Sequence, residues 1–117
     1  MPTKQPFKLN KLSQYFGNDT TQIREMLTLF IDTVPPDIMQ LQELAYKEQW
    51  EEILKITHRI KPSLDVFEMN DILEDVRKIE DIVRLNNKEE NLNNYLIKLV
   101  DNVNKMKLLF LSEIKKY

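Results

Sequence analysis

The 117-residue chain is 42% hydrophobic and 31% charged, with one Gly, no Cys and a formal net charge of −2. That length suits one domain with a real core, and so little Gly argues against a turn-rich β fold. The weakly acidic balance argues against nucleic acid as the main partner, and the lack of Cys excludes disulfides and thiolate chemistry.

Residues 1–8 hold two prolines and little periodicity, and are expected to form a loose arm before a domain spanning 9–117. Asn10 is placed to cap a short helix through Phe16, closed by Gly17. Asp19 with Gln22 three residues on resembles a capping box and opens a second helix. Its apolar stripe runs Ile23, Leu27, Phe30, Val34, Ile38, Leu41, Ala45, in steps of three and four. Pro35 and Pro36 fall inside that stripe and remove the donors to Ile31 and Asp32. The apolar phase passes through them undisturbed, which predicts one long bent helix.

A third helix is predicted from about Gln49 to about Phe67, with Trp50, Ile53, Thr57, Ile60, Leu64 and Phe67 inward. Asn70 or Asp71 starts a fourth, with the stripe Leu73, Val76, Ile79 and Ile82 or Val83. Asn86 and Asn87 end it, and Asn87 with Glu90 begins a fifth, whose stripe is Leu92, Tyr95, Leu96, Leu99, Val103, Met106 and Phe110. Four long amphipathic helices with short polar links predict an all-α, antiparallel, up-down-up-down four-helix bundle with a short additional N-terminal helix. The longest unbroken apolar run, Leu108 to Leu111, is too short to cross a bilayer. No signal-peptide pattern follows Met1, so a cytoplasmic location without membrane association is expected.

The only His, His58, lies in the third helix. At about 100° per residue it falls well away from the inward face, on a flank shared with Leu54, Lys61, Asp65 and Glu68. Imidazole has an ordinary pKa of about 6.5 and is nucleophilic when neutral, so it suits reversible phosphoryl transfer. An ammonium one turn on can pair with phosphoryl oxygens. Metal binding is not expected: there is no second His, no Cys, and Lys55 stands where a Glu-x-x-His pair needs its Glu. A hydrolase is not expected either, since Ser63 lies on a different face from His58.

Residues 57 to 80, THRIKPSLDVFEMNDILEDVRKIE, resemble the signature of histidine-containing phosphotransfer (HPt) domains. Thr57, His58, Ile60, Lys61 and Ser63 match the opening of that motif, and Ile79-Glu80 its closing apolar-Glu pair. Phe30, the Leu41 to Ala45 stretch and Trp50 also sit where family members have comparable residues, so the likeness covers about residues 19 to 112. The resemblance implies a monomeric phosphocarrier that is not itself an enzyme. It implies His58 as phosphoryl acceptor and Lys61 as the residue that stabilises the phosphate. The partners implied are response-regulator receiver domains and a hybrid sensor histidine kinase. The resemblance implies no cofactor on the domain itself, with Mg²⁺ on the receiver. Leu54, Pro62, Asp65 and Glu68 are the expected receiver-docking residues. Two positions depart from the family pattern: Pro62 and Glu68 stand where many members have Gly. Gly at the second would let a receiver approach closely; Glu68 is expected either to bias docking or to turn to water at a frayed helix end. The alternative reading is an HPt-like adaptor that docks a receiver without carrying phosphate.

Overall fold

The computed structural model describes residues 7–17, 19–85 and 91–117. These residues form helices and no strand: α1 (Asn10–Phe16), α2 (Thr20–Met39), α3 (Leu41–Tyr46), α4 (Trp50–Val66), α5 (Asn70–Arg84) and α6 (Leu92–Ile114). The fold is all-α. None of the helices is long and apolar enough to cross a membrane.

Each long helix buries one stripe. Ile23, Leu27, Phe30, Val34 and Ile38 line it on α2, Ile53, Thr57, Ile60 and Leu64 on α4, and Leu96, Leu99, Val103, Met106 and Phe110 on α6. These are the phases that the apolar spacing predicts. On α5 the buried face is wider than its apolar stripe: Asp75 and Glu80 are buried beside Leu73, Val76 and Ile79. α2 packs against α6 and α4, and α5 against α4 and α6, while α3 covers parts of α4 and α6. The stripes meet in a single core.

The helix ends explain most of the boundaries. Asp19 caps α2, its Oδ1 accepting from Gln22 N–H at 3.2 Å. Asn91 caps α6 in the same way, accepting from Asn94 N–H at 3.3 Å. The expected start at Asn87 and Glu90 lies outside the described residues. Asn10 and Asn70 are first helical residues rather than caps, since Leu9 and Met69 occupy the cap positions without a side-chain bond.

The predicted single bent helix needs correction. Helix α2 does run through Pro35 and Pro36, but it ends at Met39, three residues beyond the pair. One residue, Gln40, separates it from α3; its N–H turns to Asp37 O at 3.2 Å, a tighter i→i+3 bond. Gln40 keeps near-helical angles (φ −79°, ψ −19°), so the apolar phase carries across the break and Leu41 is fully buried. A continuous phase therefore did not require a continuous helix.

The expected arm also ends earlier than residue 8. Phe7 is buried, with its ring edge-on to Phe110 at 4.9 Å between centroids. Lys8 N–H donates to Phe67 O at 2.8 Å, closing a free carbonyl at the end of α4. Phe30, Phe67 and Phe110 complete the cluster at 4.8–5.4 Å. Two prolines made the segment look loose, but one aromatic anchor and one backbone bond fix its end. Phe7→Ala should lower the unfolding free energy by about 3 kcal/mol. An unchanged urea midpoint would show that the arm contributes nothing.

Candidate functional site

His58 is exposed on α4, and its carbonyl lacks the usual helical partner because Pro62 has no N–H. Helix α4 nevertheless continues through Pro62 to Val66. Beside the imidazole is an open cleft of about 270 Å³, lined by His58, Lys61, Pro62 and Asp65 of α4 and by Leu73 and Arg77 of α5. The site is therefore made by two helices, whereas the helical phase of α4 alone shows only one wall.

Glu80 joins the two helices. Its carboxylate is only 2% exposed and cannot stay charged there without partners. Lys61 Nζ donates to Oε1 at 2.8 Å, and Thr57 Oγ1 donates to Oε2 at 3.0 Å. Arg84 Nη2 stands 3.8 Å from Oε2. Thr57 is fully buried, and its one hydroxyl proton is shared with Leu54 O at 3.1 Å. Lys61 is thus held against Glu80 while it lines the cleft. An ammonium has three donors, and Glu80 uses one. A second buried carboxylate, Asp75, is met by Lys98 at 3.4 Å and ties α5 to α6. Asp37 binds Arg59 with two bonds of 2.9 and 3.0 Å between α2 and α4. Hydrogen bonding to Asp37, reinforced by its charge, raises the Arg59 pKa above its ordinary value.

The remaining expected docking residues are distributed unevenly. Pro62 and Asp65 line the cleft, and Asp65 accepts from Lys11 Nζ of α1 at 3.2 Å. Leu54 is half-buried one turn before His58, and Leu54 and Glu68 lie outside the cleft lining formed by the described residues.

Glu68 is not at a frayed end. It has φ +54°, in the left-handed region. Its N–H donates to Asp65 O at 2.9 Å and the Met69 N–H to Leu64 O at 2.9 Å. That pair of bonds is the Schellman closure of α4, with Leu64 and Met69 both fully buried beneath it. Nor does the side chain simply turn to water, since Glu68 Oε2 is buried without a hydrogen-bond partner among the described residues. Gly suits this position for a backbone reason, independent of any docking partner. Glu48 closes α3 in the same way, with φ +58° and a Gln49 N–H to Leu44 O bond of 2.9 Å.

Sequence reading missed Leu73, Arg77 and the role of Glu80. A signal for Glu80 was present: it shares the inward phase of Leu73, Val76 and Ile79, where a carboxylate needs a partner. Nothing in a single helix's pattern could bring Arg77 to His58.

A model of the Hpt domain family matches residues 25–107. Neither a curated protein nor a solved structure matches the chain.

Relieving the left-handed strain gives a direct check. Glu68→Gly should raise stability by about 1 kcal/mol, and Glu48→Gly at the end of α3 should do the same. Thermal denaturation of both variants measures it; a loss of stability in Glu68→Gly would mean that its side chain outweighs the backbone strain.

Proposed function

The chain belongs to the Hpt domain family, whose members are phosphocarriers of phosphorelays that interact with receiver domains, and we propose that its His58 is the phosphoryl acceptor. In this reading the neutral imidazole attacks the phosphorus of an aspartyl phosphate on a receiver. The N–P bond forms as the P–O bond to the Asp breaks, and the carboxylate leaves with the electron pair. The other ring nitrogen keeps its proton, so the product is a phosphoimidazolium and a free carboxylate, with charge conserved. Transfer to a second receiver is the reverse step.

One observation carries the reading: an exposed His58 shares a cleft with a Lys61 whose ammonium is fixed by the buried Glu80. A pre-positioned cation lowers the reorganisation needed as charge moves between donor and acceptor. Lys61 then offers its two remaining donors to the phosphoryl oxygens, and Glu80 acts through Lys61 as a positioning residue. The open cleft suits a donor that is itself a protein. Leu54, Pro62, Asp65 and Glu68 form the docking flank in this reading, Glu68 by its place at the end of α4.

The helices α2, α4, α5 and α6 are assigned as an up-down-up-down antiparallel bundle, supported by the closed order of packing α2–α4–α5–α6 and back to α2. The unit acts as a monomer in the cytoplasm, between a hybrid sensor histidine kinase and receivers. Mg²⁺ is assigned to the receiver.

Incubation with a phosphorylated receiver tests the reading. Wild type should acquire acid-labile phosphate, His58→Gln none, and Lys61→Ala should acquire it about tenfold more slowly. Wild type unlabelled by every cognate receiver, yet still binding one, would replace the carrier by a docking adaptor.

A further inference from the structure

The charges around the cleft do not balance equally. Lys61 is bonded to Glu80 at 2.8 Å, and Asp65 to Lys11 at 3.2 Å. Nearby on α4 and α5, Arg59 is committed to Asp37 and Arg84 approaches Glu80. Arg77 lines the same cleft, is exposed, and makes no ion pair among the described residues. Its own helix offers it Glu74 three residues before and Asp81 four after, and it pairs with neither. Arg77 therefore brings the uncompensated positive charge to the wall of the His58 cleft.

A phosphoryl group on His58 would add close to two negative charges. Lys61 has already given one bond and much of its charge to Glu80, so it cannot balance them alone. A guanidinium presents a planar fork of donors that fits two phosphoryl oxygens at once. Arg77 lies three residues before Glu80, on the same side of α5. The bonds from Glu80 to Thr57 and Lys61 that seat α5 against α4 thus also seat Arg77 at the cleft.

We propose that Arg77 is the second cation of the site, reaching from α5 to the phosphoryl oxygens carried by His58. This rests on the carrier reading above. Arg77 makes and breaks no covalent bond. It stabilises the phosphorylated imidazole and the group in transit, and Leu73, one turn earlier, supplies the apolar part of the same wall.

The test separates the phosphoryl group from the receiver. The whole chain is labelled with phosphoramidate, which needs no receiver, and in parallel by a phosphorylated receiver. Arg77→Ala should slow labelling by phosphoramidate and shorten the phosphohistidine half-life, each by about tenfold. Arg77→Lys should keep most of both, and thermal stability should not move. Wild-type labelling and half-life in Arg77→Ala overturn the assignment. If, in that case, transfer from the receiver alone falls, Arg77 meets the receiver rather than the phosphoryl group. A wild type that takes label from neither donor defeats the carrier reading itself. Titration with inorganic phosphate then decides Arg77 separately: movement of its Nε–H resonance in NMR spectra supports an anion contact, and a stationary signal overturns it.

Discussion

A carboxylate buried as deeply as Glu80 must find charged or polar partners, because its desolvation is otherwise worth several kcal/mol. Here the partners are Lys61 and Thr57, both on the neighbouring helix α4. Satisfying them fixes the register of α5 along α4 to within about one helical turn, since neither partner has an equivalent acceptor a turn away. That one requirement links the core to the surface. Thr57 is fully buried, Lys61 opens on the cleft, and His58 lies between them in sequence on the solvent side. A purely apolar contact between α4 and α5 would hold the helices together but tolerate sliding.

The display of His58 also depends on how α4 is finished. Pro62 frees the His58 carbonyl without breaking the helix. Four residues beyond Pro62, α4 stops in a Schellman closure that forces Glu68 into a left-handed conformation. The closure is held from outside by Lys8, which takes the Phe67 carbonyl, and from below by the ring cluster of Phe7, Phe30, Phe67 and Phe110. Aromatic contacts of this kind are worth about 0.5–1.5 kcal/mol each beyond the area they bury. They offset the strain that two non-glycine residues at positive φ impose. The end of α4 is thus tied to the core through Phe67 and to the N-terminal segment through Lys8.

Charge pairing gives the cleft its polarity. Ion pairs between exposed groups add little to stability, and the Lys11–Asp65 pair at the surface is of this kind. Such pairs matter here for what they leave over. With Asp65 and Lys61 each matched, the field at His58 is set by the groups that remain unmatched. In a chain of net charge −2, this local sorting of charge still leaves Arg77 on the wall of the cleft.

The sequence alone determined the helical class, the inward stripes of α2, α4 and α6, the exposure of His58 with Lys61 beside it, and the Asp19 cap. All of these follow from periodicity or from contacts within one or two turns, which local spacing records. The likeness of residues 57 to 80 to a known motif also pointed to the family that the match over residues 25–107 shows. Only the tertiary structure decided that the helix after the prolines breaks at Gln40, that Phe7 belongs to the core, that Glu68 is held by a helix-end closure, and that Glu80 grips Lys61 while Arg77 completes the cleft. Apart from Gln40, where a near-helical break leaves the phase intact, and Glu68, whose closure is made by the backbone of α4 itself, each depends on what a neighbouring element brings: an aromatic ring or a buried partner for a carboxylate. A side chain's phase on its own helix says which way it faces, and the packing of the other helices decides what it faces.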